Sequence, residues 1–164
     1  MQQFQGGIIM EFDLFSQMTS PALQTKRLES QILALRERAV SYGLVISQKD
    51  ASALAAVGVE QLHEQERVEF AQSAVVKIIE KFMESTYISQ SDFVETISEL
   101  IGIFYEVKEE SLDVLTDDDV ISAMFDCFEN ISNGDIELLR TRDLERLIRR
   151  ARGEAYDIDY DEDE

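Results

Sequence analysis

Apolar residues recur at intervals of three and four along most of this chain, and each run is bracketed by helix start and stop signals. That spacing lines up one face of a 3.6-residue helix, whereas a half-buried strand needs a two-residue alternation. The one proline, Pro21, follows Ser20. It therefore sits at a first helical position, where its missing N–H leaves no bond unmade. Leu28, Ile32, Leu35 and Ala39 make the inner face of this helix, and Gly43 supplies a left-handed stop. Ser47-x-x-Asp50, a capping box with a short acidic side chain, opens a second helix with Leu54, Val57 or Gly58, and Leu62 inside. The segment Glu66 to Phe70 alternates polar and apolar residues and reads as a continuation or a short bend.

A third helix is predicted over Gln72 to Glu84, with Val75, Ile78, Ile79, Phe82 and Met83 as its stripe. Ser89-x-x-Asp92 repeats the capping logic ahead of a fourth helix, Phe93 to Lys108. That helix is apolar over so much of its circumference that it is expected near the centre. Thr116 followed by Asp117, Asp118 and Asp119 is the clearest start signal, a cap with three carboxylates at the positive end of the helix dipole. Val120, Ile121, Met124, Phe125 and Phe128 follow as its inner face. Asn133-Gly134 turns the chain into a short helix, Ile136 to Leu139. A last helix, Asp143 to Arg152, is expected to take Thr141 as its cap and to bury Leu144, Leu147 and Ile148. The expected fold is all-α, a single irregular or orthogonal bundle of about six to seven helices over residues 20–152. Residues 1–19 read as an N-terminal arm and 153–164 as a disordered acidic tail.

Length and composition narrow the function classes. A chain of 164 residues that is 45% hydrophobic fits one domain with an adequate core. Cys127 is the only cysteine, so no intrachain disulfide forms, which fits a reducing compartment. No secretory leader and no run near the ~20 apolar residues of a membrane span are visible, so the expectation is cytoplasmic, with no membrane contact. Net charge is −19, from 34 acidic and 15 basic residues, which disfavours polyanions such as nucleic acid and anionic bilayers. The charge is uneven. Seven acids fall within the last twelve residues, directly after a cluster of Arg140, Arg142, Arg146, Arg149, Arg150 and Arg152. A solvated helix face screened by the acidic tail outweighs a docking surface as the account of these arginines.

The residue sets that carry chemistry fail on identified positions. Glu60-x-x-His63 is half of a carboxylate di-iron pattern, but His63 is the only histidine. An EF-hand centred on Gly134 places Ile131 at the third ligand position and Arg140 at the twelfth, where oxygen ligands are required. Asp117, Asp118 and Asp119 point about 100° apart on a helix and cannot converge on one ion. Alternating Asp157, Asp159 and Asp161 lack the following glycine and closing glutamate of a calcium loop. Cys127 lies among Phe125, Phe128 and Ile131, so a buried thiol with a raised pKa is expected. No glycine-rich phosphate loop is present. No catalytic residue, metal or cofactor is therefore assigned.

Four stretches carry a resemblance: ERVEF at Glu66 to Phe70, the F-x-x-S run at Phe82 to Ser85, ELIGIFYEVKEESLDVLTDDDVISAM at Glu99 to Met124, and NGDIELL at Asn133 to Leu139. From Arg67 to Arg152 the chain resembles a small family, seen mainly in anaerobic Gram-positive bacteria, that is known only as a domain of unknown function. The resemblance implies a shared helical fold and supplies no catalytic residue. Glu66 stands where the family pattern leads one to expect glycine. Any site that the resemblance marks centres on Arg67, Glu69 and Phe70, with Arg67 and Glu69 pairing with each other, with a partner, or in an ion pair that ties two helices. The leading functional expectation is a non-catalytic protein-interaction or regulatory module with an unidentified protein partner, a homodimer among the possibilities. The alternative is a small-ligand binder or enzyme using carboxylates with Arg67 and Tyr105. Nucleic-acid contact through Arg146, Arg149 and Arg150 is the weakest reading.

Overall fold

The computed structural model describes residues 20–69, 72–151 and 153. Among these the elements are α1 (Pro21–Leu33), α2 (Arg36–Val40), α3 (Gln48–Glu64), α4 (Ala74–Phe82), α5 (Phe93–Glu110), α6 (Asp117–Asn130), α7 (Ile136–Leu138), a π-helical turn (Leu139–Asp143) and α8 (Leu144–Ala151). The segment from α7 through the π turn to α8 runs without interruption, which makes seven helices and no strand among the described residues. The arm at 1–19, Phe70, Arg152 and nearly all of the acidic tail lie outside the described residues.

The caps follow side-chain chemistry. Ser20 accepts from the Leu23 amide, Ser47 and Asp50 form a complete reciprocal box, and Thr116 accepts from the Asp119 amide. Three sequence expectations are corrected. The third predicted helix is shorter, α4 running from Ala74 to Phe82, because Ser73 caps at the Val75 amide. Ser89 and Asp92 form no capping box: the Ser89 hydroxyl donates to the Asp92 carboxylate, and Asp92 is itself the N-cap residue, in helical conformation and without a side-chain cap. Thr141 caps nothing, since it lies inside the π turn and donates to the Glu137 carbonyl.

Helix α5 is central, packing on α3, α4, α6, α7 and α8. Its Phe93, Ile97, Leu100, Ile101, Phe104 and Tyr105 are all buried. Burying an aliphatic or aromatic side chain of this kind contributes about 1.5–3 kcal/mol each. The most extensive helix–helix contact is α1 against α3. Gly58 leaves room for both neighbours of α3, for a Cβ there would lie 3.0 Å from Leu28 Cδ2 of α1 and 2.6 Å from Val75 Cγ2 of α4. Phe82 stacks edge-on with Phe125 and Phe128, centroids 5.4 and 5.6 Å apart, and joins α4 to α6. Phe125, Leu147 and Ile148 are only half-buried, and Leu139 in the π turn takes a fully buried place instead.

Candidate functional site

The backbone around Glu66 explains how the candidate residues meet. Helix α3 ends in a Schellman motif: the Arg67 amide donates to the Leu62 carbonyl at 2.8 Å and the Glu66 amide to the His63 carbonyl at 3.2 Å. This motif needs a left-handed residue, and Glu66 takes it with φ 54°. The segment is thus neither a helix continuation nor a simple bend, and glycine would be unstrained there. Helix α5 ends in the same way, with Asp113 donating to Lys108 and Leu112 to Glu109, both at 3.1 Å. Leu112 and Asp113 are both left-handed, φ 56° and 59°. Two helix C-termini therefore carry non-glycine residues at the position that favours glycine.

The two ends are clamped to each other. Arg67 grips Asp113 in a fork, 2.8 and 3.1 Å, and its Nε donates to Gln65 at 2.6 Å. Gln65 in turn donates to the Tyr105 carbonyl at 2.8 Å. Lys108 is buried, and its Nζ lies 2.7 Å from the Leu115 carbonyl, 2.9 Å from Asp117 and 3.5 Å from Asp113. The Arg67 guanidinium holds the Asp113 carboxyl below its ordinary pKa, and the same bond raises Arg67.

Arg67 and Glu69 do not pair with each other. Half-buried Glu69 accepts from the Ala74 amide at 2.9 Å, the Tyr105 hydroxyl at 3.2 Å and the Ser73 hydroxyl at 3.3 Å. Burial outweighs these bonds and pushes the Glu69 pKa up. Tyr105 is also raised, first by burial and then by the Glu69 charge. Arg67, Glu69, Tyr105, Lys108, Asp113 and Asp117 line one cleft of about 320 Å³, walled by Leu62, Val68 and Phe104. The sequence points to Arg67, Glu69 and Phe70 as one site and to Arg67 with Tyr105 as a ligand pocket. The structure joins Arg67, Glu69 and Tyr105 in this cleft, and Phe70 lies outside the described residues. Gln65, Lys108, Asp113 and Asp117 carry no such signal in the sequence.

The other candidates lie elsewhere. Arg146, Arg149 and Arg150 are exposed on α8, and Arg149 bonds Glu145 one turn earlier at 3.0 Å. His63 is exposed, and no group of three or more His, Cys, Asp or Glu side chains suited to a metal occurs among the described residues. Half-buried Cys127 has a raised pKa, chiefly from desolvation and then from Asp143. No described helix is long and apolar enough to cross a membrane.

The stretches that carried the resemblance have structural tasks here. Ser85 donates to Glu129, Thr86 bonds the same carboxylate at 3.1 Å, and Gly134 leaves room for Tyr87, whose Cβ would be 2.7 Å from an added Cβ. A model described as a family of unknown function, DUF6323, matches residues 31–157, reaching well before Arg67. Neither a curated protein nor a solved structure matches the chain.

Proposed function

We propose, from the premise that the chain belongs to the DUF6323 family of unknown function, that this protein is a cytoplasmic, non-catalytic interaction module whose contact surface surrounds the Arg67–Asp113 clamp. One observation carries the reading. Leu112 occupies a left-handed position and leaves its side chain 76% exposed, more than any other large apolar residue described. A left-handed leucine costs roughly 1–2 kcal/mol, and exposure returns none of it. Backbone strain retained in this way is characteristic of functional surfaces. Val114 and Val68, 64% and 50% exposed, follow Asp113 and Arg67 directly in the chain, so exposed apolar side chains neighbour the charged clamp, and Val68 also walls the cleft.

The same geometry weighs against catalysis at this cleft. Arg67 and Lys108 spend their donors on partners within the chain, and both Glu69 oxygens already accept bonds, which leaves none of the three free of partners to act as nucleophile or base. A reacting group needs a free nucleophile or base within reach of substrate. The polar network acts as a frame that holds the 111–115 loop in place.

A photo-crosslinking amino acid placed at position 112 in the full chain, inside cells, tests this reading. A discrete adduct from position 112 and its absence from exposed Glu95, at the other end of α5, is the expected result. No adduct at 112, or the same ladder from both positions, overturns it.

A further inference from the structure

Among the described residues, Glu69 is the one carboxylate lining the cleft whose partners are all neutral. Asp113 faces Arg67 and Lys108, and Asp117 faces Lys108, whereas Glu69 receives an amide and two hydroxyls. Among the described residues the lining sums to three carboxylates against two cations, and both cations are already engaged. Leu62, Val68 and Phe104 supply apolar walls that suit an aliphatic stem with a charged tip. A second cleft of about 470 Å³ is lined by Gln65, which bonds Arg67 and the Tyr105 carbonyl of the first. Among the described residues Glu64, Glu106 and Glu109 line it, with Arg140 as the cation. Arg140 is itself 3.8 Å from Glu137. The molecule as a whole carries −19.

We infer that the partner surface engaged here is a basic, apolar-flanked peptide segment, with one Lys or Arg side chain inserted beside Glu69 and a neighbouring one over Glu64, Glu106 and Glu109. The inference rests on the interaction-module reading and names the partner chemistry of the same surface. Leu112, Val114 and Val68 meet the apolar flanks, while the long-range negative field draws a basic segment in. The inserted cation supplies the charged partner that Glu69 lacks within the described chain.

The test uses the full-length protein and a short fluorescent peptide of alternating lysine and leucine, read by anisotropy. Its glutamate–leucine counterpart and cadaverine serve as comparison probes. Binding of the basic peptide is expected to weaken about tenfold or more in Glu69→Gln, by several-fold in Glu106→Gln, and not in Glu95→Gln, which removes the same charge at the far end of α5. Glu69→Gln is expected to fold, because the Tyr105 and Ser73 hydroxyls can reverse their bonds to face the new amide. Should it fail, Asp117→Asn reads the same cleft. Equal loss in all the variants means indiscriminate attraction to an acidic protein and overturns the inference. So does cadaverine binding as tightly as the peptide, which assigns the cleft to free amines. Self-association abolished by Leu112→Ser, or an affinity gain on removal of residues 1–19, makes a second copy or the chain's own arm the occupant, and also overturns it. Adducts at position 112 without any Glu69 dependence sink this inference and spare the module reading; the absence of adducts at 112 sinks both.

Discussion

At the scale of single residues, Glu66 and Leu112 do the same backbone work at the ends of α3 and α5 with very different side chains. Both would relax as glycine, since a left-handed L-residue is penalised more than the extra chain entropy of glycine. Glu66→Gly and Leu112→Gly are each expected to raise unfolding free energy by about 0.5–1 kcal/mol in denaturant titrations. Only Leu112→Gly should also abolish the position-112 contact. Asp113 adds a pH signature. Its folded pKa is depressed, so the stability it confers is present above its unfolded value and lost as pH falls through the folded one. Asp113→Asn should therefore destabilise by about 1 kcal/mol near neutrality, a modest figure because the Asp113 side chain is 52% exposed. The gap to the parent should shrink below about pH 4 in thermal melts across pH. Glu69 works the other way: its folded pKa is raised, so acidification through that value favours the folded state.

At the scale of elements, two glycines inside helices separate packing from propensity. Gly102 in α5 has nothing within 4 Å of an added Cβ, whereas Gly58 in α3 would drive one into stiff, β-branched Val75. Gly102→Ala should stabilise by about 0.5–1 kcal/mol through helix propensity alone. Gly58→Ala should destabilise by about 1 kcal/mol despite the same gain, because overpacking costs roughly 1–3 kcal/mol. A double substitution with Val75→Ala should recover part of that loss, and calorimetry reads all three. The helix starts at Ser20, Ser47 and Thr116 were legible in the sequence, as was the stop at Gly43, because a cap is a contact over three or four residues and its chemistry is written locally. Ser89 and Thr141 had the same residue types and do other things. A hydroxyl residue can bond a neighbouring carboxylate or the carbonyl four residues back as readily as it caps. The π turn left no readable mark, since its extra residue is absorbed by burying Leu139.

At the scale of the whole molecule, the charge of −19 sets a self-repulsion that the fold must bear. Salt shortens its range, from roughly 30 Å at 0.01 M to about 8 Å at 0.15 M. The melting temperature should rise over that interval, and a fall would mean that paired charges such as the Arg67 fork dominate. The cleft was legible only in part, and distance along the chain is the reason. Arg67, Glu69 and Tyr105 could be named from pattern and resemblance, but Asp113 lies 46 residues from Arg67, and Tyr105 lies 36 from Glu69. Periodicity orients a face without saying which distant residue it meets. That same separation has a consequence in time. Helices close on local contacts, while the clamp between the ends of α3 and α5 closes only after long loops have been paid for. The clamp should therefore form late in folding and break early in unfolding. Asp113→Asn would then speed unfolding and leave the folding rate nearly unchanged in stopped-flow chevrons. A surface held by the last contacts to form is the first that the chain can open without giving up its core.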